Sequence, residues 1–200
     1  MSMEIPKCNV PALDATATAT YVRVARAEDL RQLSELLVSS FYRKGGWINW
    51  LYPLLRLGIS EDLRQRIKGA KSFYACLAAV QIHSDGDKKS LGDDLVGTVE
   101  ISCRHPYLWQ SIDRSHIYLS NLAVRADLRR RGVAQKLLAT SEAIALDWGF
   151  HDVYLHVMED NQRARRLYQR AGYRVKEVEE TPLTWMGLSP KRLLLYKGLP

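Results

Sequence analysis

Residues 121–138 read NLAVRADLRRRGVAQKLL, a stretch in which an apolar strand ends, a basic turn follows and an amphipathic helix begins. The segment Arg129–Ala134 places a glycine and a small alanine where that helix starts. The first amides of a helix have no partner within it, and the helix dipole adds about half a positive charge there. Gly132 lets a bulky anion approach the backbone closely, and the neighbouring arginines supply directed donors. The stretch therefore predicts a strand, turn and helix that bind a phosphate-bearing ligand.

Other interpretations of this turn use the same residues. Gly132 could simply relieve a tight turn, with the arginines solvated. The turn lacks the Gly-Lys-Ser/Thr ending of an NTPase loop. Glu142 and Asp147 lie inside the following helix, so they do not supply the acidic residue that a dinucleotide-binding fold needs.

Hydrophobic patterns on both sides of this unit predict one α/β domain over residues 21–200, after a flexible leader at 1–20. The expected strands are Tyr21–Ala25, Phe73–Val80, Leu95–Ser102, His116–Val124, Asp152–Val157, Tyr173–Val178 and Arg192–Lys197. Helices are expected from Glu28 or Asp29 to Gly45, from Ser60 or Glu61 toward Lys68, from Gly132 to Trp148 and from Asp160 or Asn161 to Ala171. Two strands pair directly in the middle, while strands and helices alternate later, which predicts a mixed sheet between helices.

Composition restricts the function classes. The chain has 200 residues, of which 46% are hydrophobic and 26% charged, the balance of a globular protein. No apolar run is long enough to span a bilayer, and the first residues do not form a secretory signal. The three cysteines show no metal-ligand spacing, and Cys76 and Cys103, in or just after apolar runs, predict buried thiols in a reducing compartment. The net charge of +7 is concentrated in two arginine clusters, which favours an anion site and a solvated helix face over a nucleic-acid surface: Arg125, Arg129, Arg130 and Arg131, then Arg163, Arg165, Arg166 and Arg170.

Two motifs in order give the chain a resemblance to the GNAT acyltransferases. Arg129–Ala134 resembles the acetyl-CoA loop of that family, R/Q-x-x-G-x-G/A, and Asn161–Tyr173, NQRARRLYQRAGY, resembles a second family motif. The resemblance implies an α/β (α+β) mixed sheet of about six to seven strands with helices on both faces. It also implies that the sheet is splayed between the strands 116–124 and 152–157.

The resemblance further implies acetyl-CoA as cosubstrate. The backbone of Leu122, Ala123 and Val124 would bind the pantetheine arm and the thioester carbonyl, and Asn161 would contact the cofactor. The pyrophosphate would be held by Arg129, Arg130, Arg131, Gly132, Val133, Ala134 and Gln135. No metal is expected, because His83, His105, His116 and His151 form no spaced ligand set.

Three residues match catalytic positions of the family. Tyr168 would protonate the departing CoA thiolate, and it could equally continue the apolar stripe of its helix. His156 would act as general base together with Tyr118 on the neighbouring strand, as in a group of eukaryotic N-terminal acetyltransferases. A strand histidine with only a structural role is the alternative.

The implied reaction is transfer of an acetyl group to a protein amine by direct attack in a ternary complex. The acceptor would be an N-terminal α-amine, a lysine or both; polyamine or aminoglycoside acetylation and a non-catalytic acyl-CoA sensor are the alternatives. The aromatic insert 41–68 resembles a plastid and cyanobacterial branch, and together with Trp185 and Met186 it could form two lips around the acceptor. We expect a protein or peptide partner, no nucleic acid, a monomer or homodimer, and a location in the cytoplasm, or the stroma for a plant-type homologue.

Overall fold

A computed structural model describes residues 20–41, 73–81, 94–105 and 115–200, together with the isolated residues 58, 61 and 65. The strands are Thr20–Val24 (β1), Tyr74–Gln81 (β2), Asp94–Arg104 (β3), His116–Val124 (β4), Asp152–Met158 (β5), Arg174–Glu179 (β6) and Arg192–Gly198 (β7). The helices are Leu30–Phe41 (α1), Val133–Asp147 (α2), Gln162–Arg170 (α3) and Pro182–Trp185 (α4), with short 3-10 turns at Ala27–Asp29 and Ala126–Leu128.

The strands form one seven-stranded sheet in the order β1-β2-β3-β4-β5-β7-β6. Its neighbouring strands are antiparallel except for β4 and β5, which are parallel. The long connection through α2 makes this parallel pair possible, since parallel neighbours need a crossover. The predicted mixed sheet is confirmed.

Helices cover both faces of the sheet, as alternate residues of β2 show. Leu77 belongs to the core cluster that contains Leu137 of α2, whereas Ala78 belongs to the cluster that contains Leu33 of α1. Successive side chains of a strand point to opposite faces, so α1 and α2 lie on opposite sides. The apolar stripes predicted for these helices therefore form two separate hydrophobic layers.

The start of α2 lies very close to β3. A Cβ atom at Gly97 would be 3.1 Å from both Leu137 Cδ1 and Val133 Cγ1, so a larger residue would push the helix away. Leu137 is fully buried and Val133 nearly so. This packing fixes the helix N-terminus against the end of the sheet where the basic turn lies.

Most predicted elements lie within two residues of the observed ones. β1 begins at Thr20, one residue earlier than the predicted strand, and the predicted leader lies outside the described residues apart from Thr20. The helix expected from Glu28 or Asp29 begins at Leu30, because Ala27–Asp29 forms a 3-10 turn first. The insert 41–68 lies outside the described residues apart from residue 41 and the isolated positions. Sequence patterns missed the short helix α4, which Thr181 caps through its side chain.

Candidate active site

A gap opens between β4 and β5 at the middle of the sheet. The two strands pair only over Ile117–Leu119 and Val153–Leu155, although β4 continues to Val124. Beyond this pairing β5 stays bonded to β7, so β5 leaves β4 without losing its other neighbour. The predicted splay is confirmed, and it leaves one edge of β4 open over its last residues.

A bulge in β4 turns part of this open edge toward the gap. Asn121 has a left-handed φ of 54°, and the register between β3 and β4 shifts there. The side chain of Asn121 donates to the buried carboxylate of Glu100 at 2.6 Å, which holds the bulge in place. Neighbouring backbone groups in a strand point to opposite sides. The N–H of Arg125 donates to the Val96 carbonyl of β3, and Ala123 lies two residues earlier in the same register, opposite Thr98. The backbone groups of Leu122 and Val124, which alternate with these, therefore point to the gap.

The basic turn beside the gap has the backbone of an anion cradle. Arg130 and Gly132 both have left-handed φ angles, 65° and 80°. No side chain caps the N-terminus of α2, and Gly132 occupies the capping position. The first amides of the helix, those of Val133, Ala134 and Gln135, are therefore available to a ligand. Val133 can contribute only its backbone, since its side chain is buried in the core.

The arginines of this turn are not equivalent. Arg130 and Arg131 are exposed, and exposed Arg129 donates from Nε to the carbonyl of Val124 at 3.1 Å. Arg125 instead bonds Asp94 at 2.6 Å and Asp127 at 2.9 Å. The interpretation of the first cluster as a single anion site is therefore wrong for Arg125, because two carboxylates compensate its charge.

Asn161 lies at the N-terminus of α3, on the other side of the gap. Its side-chain oxygen accepts from the backbone N–H of Ala164 at 3.2 Å, so capping is the role that the geometry shows. Arg163, Arg165, Arg166 and Arg170 are exposed, and the second arginine cluster is a solvated helix face.

Tyr168 reaches from α3 into the core. Its side chain is 8% exposed, and the ring of Tyr173 packs edge-on against it at 5.9 Å. Burial, with a contribution from nearby Tyr118, raises the pKa of Tyr168 to about 12. Within the described part of the chain the hydroxyl has no hydrogen-bond partner. The ring therefore belongs to the core, as the apolar-stripe interpretation expects, while the role of the hydroxyl as the acid stays a prediction.

Tyr118 and His156 meet where β4 and β5 separate. The Tyr118 hydroxyl lies 2.7 Å from Nδ1 of His156. Nε2 of the same imidazole lies 2.7 Å from Oε1 of Glu179, at the end of β6. The guanidinium of Arg104 stacks on the Tyr118 ring, 3.3 Å from its centroid. The predicted pair is thus assembled, and it is part of a longer chain of polar groups.

Electrostatics keep His156 neutral at physiological pH. Burial lowers the pKa of His156 below its usual range, and the charges of Arg192 and Arg104 lower it further. The bond to Glu179 acts in the opposite direction without reversing the result. A neutral imidazole can accept a proton, which is what a general base requires.

The other described histidines have structural or surface positions. His116 is 2% exposed and packs edge-on against Tyr154. His105 and His151 are exposed and bond Ser115 and the carbonyl of Pro200. His83 lies outside the described residues. Over the residues that the structure describes, no group of three metal-ligating side chains occurs, and no helix could cross a membrane.

Sequence reasoning missed Glu179, Arg104 and Glu100. Glu179 comes 23 positions after His156, and only the sheet brings the two together. Glu100 is buried, and its carboxylate supports the bulge through the bond from Asn121. No spacing in the sequence predicts contacts between residues that only the pairing of several strands brings together.

Comparisons with known proteins agree with this geometry. The sequence model of the Acetyltransferase (GNAT) family matches residues 30–173. The chain belongs to the GNAT acetyltransferase family. Its fold matches the crystal structure of Arabidopsis thaliana NAA60 in complex with acetyl-CoA, with a TM-score of 0.65 and 19% sequence identity, over 90% of this chain and 100% of that chain.

Curated relatives cover parts of this GNAT domain. GCN5-related N-acetyltransferase 7, chloroplastic, from Arabidopsis thaliana is 39% identical over 92 residues, which are 44% of this chain and 32% of that protein. Thialysine N-epsilon-acetyltransferase from Bos taurus is 30% identical over 115 residues, 57% of this chain and 64% of that protein. The chain thus spans between 32% and 64% of the length of these two relatives.

Proposed function

We propose that this GNAT domain transfers an acetyl group from acetyl-CoA to a protein or peptide amine, with an α-amine as the favoured acceptor. The observation that carries the proposal is the hydrogen bond between Tyr118 and neutral His156 at the mouth of the gap. Tyr168 supplies a phenol near the same place, without a hydrogen-bond partner among the described residues. A base and an acid on either side of one gap fit amine attack on a thioester.

The residues around the gap fit acetyl-CoA. A Cβ atom at Gly132 would meet nothing closer than Gln135 Oε1 at 3.9 Å, so the space beside Gly132 itself is open. We assign the pyrophosphate to these amides and to Arg129, Arg130 and Arg131, and the pantetheine arm to the backbone of Leu122 and Val124. Ala123 lies between those two contacts and pairs with β3. Asn161 would add a contact through the amide group that its capping bond leaves free.

Acetyl-CoA supplies the acetyl group as a thioester, and the protein handles the protons. The attacking amine gives its proton to Tyr118, directly or through water, as Tyr118 passes its own proton to His156. The backbone amide at the β4 bulge donates to the carbonyl oxygen as charge develops on it, a contact worth about 3 kcal/mol in acyl transfer. Tyr168 donates its hydroxyl proton to the departing sulfur.

Acceptor basicity favours α-amines. At pH 7.5 an α-amine with a pKa of about 7.8 is roughly one-third neutral, whereas an ordinary lysine is neutral about once in a thousand molecules. A single neutral imidazole is therefore a sufficient base for an α-amine. The cations Arg104 and Arg192 both act on His156, and they make the same place unfavourable for a polyamine.

Small-molecule acetylation is the second candidate, since one of the relatives is named for thialysine. A peptide panel separates the possibilities. One peptide has a free N-terminus and blocked lysines, a second has a blocked N-terminus and free lysine, and thialysine and spermidine serve as small acceptors. We expect mass spectrometry to find acetyl on the first peptide with the highest kcat/KM. Higher kcat/KM for a small amine would contradict the proposal, and no product with any acceptor would favour an acyl-CoA sensor.

We place the protein in a reducing compartment, the stroma where the cell has plastids and otherwise the cytoplasm. The support is the chloroplastic location in the relative's name and the free, buried thiol of Cys76. Immunodetection in isolated plastids, with a cytoplasmic marker as control, tests this location.

A further inference from the structure

Glu179 makes a contact with His156 that the two-residue base does not include. Its Oε1 atom lies 2.7 Å from His156 Nε2, and its Oε2 atom lies 3.6 Å from Arg192 Nε. We propose that Glu179 is a positioning residue, which holds the His156 ring with Nδ1 turned toward the Tyr118 hydroxyl. The inference rests on the proposed function in assigning the base to His156.

The hydrogen bonds around the ring select one tautomer. An ionised carboxylate can only accept hydrogen bonds, so the Nε2 atom that faces Glu179 must carry the proton. In a neutral imidazole the other nitrogen is then an acceptor. Nδ1 therefore accepts from the Tyr118 hydroxyl. Without Glu179, neither the tautomer nor the ring orientation is determined on the Nε2 side.

Pairing across three strands brings Glu179 to the ring. His156 of β5 is opposite Leu194 of β7, and Glu179 of β6 is opposite Arg192, two residues earlier on β7. Residues two positions apart on a strand, such as Leu194 and Arg192, point to the same face. The carboxylate and the imidazole therefore lie on the same side of the sheet. The half-exposed side chain of Glu179 thus reaches across β7 to a ring that is mostly buried.

The charged groups around His156 act in opposite directions. Glu179 stabilises the protonated imidazole, while Arg192 of β7 and Arg104 of β3 destabilise it. Among the residues that the structure describes, Tyr118 of β4 is the other polar group hydrogen-bonded to the ring. When the ring takes the proton of Tyr118, the Glu179 carboxylate compensates the new positive charge. Removal of Glu179 and removal of Arg192 should therefore shift the protonation of His156 in opposite senses.

Nitrogen-15 NMR of the imidazole tests the inference in the protein alone, without acceptor or acetyl-CoA. In the parent we expect the proton on Nε2. Glu179→Gln should move the His156 titration to lower pH, and Arg192→Gln should move it to higher pH. Glu180→Gln is the matched control, since its carboxylate bonds Lys191 and Trp185 instead, and it should leave the titration unchanged. A proton on Nδ1 in the parent, or a Glu179→Gln titration equal to the parent's, would overturn the inference.

Kinetics give the second measurement. Glu179→Gln should lower kcat roughly tenfold, with the KM of acetyl-CoA unchanged, because a mispositioned base slows only the proton transfer. Its acidic pH limit should shift in the same direction as the NMR titration. Glu179→Asp keeps the charge and should lose less activity. If the NMR titrations shift as expected but the protein acetylates no acceptor, the positioning role stands and the proposed function is refuted. Equal kcat in Glu179→Gln and the parent would overturn the positioning role.

Discussion

The Tyr118 hydroxyl lies 2.7 Å from His156 Nδ1, although 38 positions separate these residues in the chain. In the chain, Tyr118 precedes Leu119 and His156 follows Leu155, and these two leucines are the last paired positions of β4 and β5. One hydrogen bond therefore joins the two strands where the sheet opens. The Tyr118–His156 pair therefore exists only because β4 and β5 separate at this point.

His156→Ala should lower kcat/KM about 100-fold at neutral pH, because the proton of Tyr118 then has no acceptor. In the parent, activity should fall only below about pH 6.5, since the pKa of His156 is lowered and the neutral form persists to lower pH. A pH series of kcat/KM checks both points. The acidic limit should disappear in the variant; an unchanged limit would assign it to another group.

Tyr168→Phe should lower kcat about 100-fold while acetyl-CoA binds with about the parent's affinity, since only the hydroxyl proton is lost. The pKa of Tyr168 is raised to about 12, so the phenol remains protonated and the parent should show no alkaline loss from it up to about pH 10. Stopped-flow turnover and calorimetric titration with acetyl-CoA separate the two effects. Equal turnover in both proteins would remove Tyr168 from the reaction.

Gly132→Ala should weaken acetyl-CoA binding, and Gly149→Ala is its matched control. Both glycines have a φ of 80°, and neither substitution would cause a close contact. Each should therefore destabilise the fold by a similar 1–2 kcal/mol, roughly the cost of a left-handed residue with a Cβ atom. Only Gly132 lies in the cradle, so only Gly132→Ala should raise the Kd. Equal Kd values in the two variants would refute the pyrophosphate site.

Trp185→Ala should raise the KM of a peptide acceptor and leave that of acetyl-CoA unchanged. The Trp185 side chain is 75% exposed, and its Nε1 atom donates to Glu180, the residue after Glu179. An exposed indole bonded to the neighbour of Glu179 is suited to cover an acceptor peptide. Steady-state kinetics with each substrate varied in turn decides the matter: a changed KM for acetyl-CoA, or none for the peptide, would contradict the lip.

Asp29→Ala should lower the free energy of unfolding by about 3 kcal/mol, because it removes a buried carboxylate that two hydrogen bonds join to the half-buried guanidinium of Arg23. Burial opposes ionisation of Asp29, but the bonds from Arg23 and Arg26 outweigh it, so the pKa of Asp29 is lowered. This stabilisation is complete above the unfolded pKa of about 4 and is lost as pH falls through the lower folded value.

Glu35→Ala is the control for Asp29→Ala. It breaks an exposed pair with Arg31 and should cost under about 0.5 kcal/mol. Urea unfolding of both variants at neutral pH and near pH 3 measures the difference. Similar losses from the two ion pairs would show that burial does not set their strength.

The features that depend on local chemistry could be predicted from the amino-acid sequence. The period of apolar residues predicts β4 and α2, and the basic turn between them needs Gly132 because a helix start and a left-handed residue meet there. The caps and glycines around α3 predict that helix equally well. Such features depend on neighbouring residues, so a linear pattern contains them.

The polar network around His156 and the partner of each charged side chain became known from the three-dimensional fold. Arg125 looks like its neighbours in the sequence, but Asp94 of β3 neutralises it. Glu179 has no distinguishing pattern, and the register of β5, β7 and β6 brings it to His156. Strand order and register are set by packing across the whole sheet, and contacts that depend on them have no signature in a local stretch of sequence.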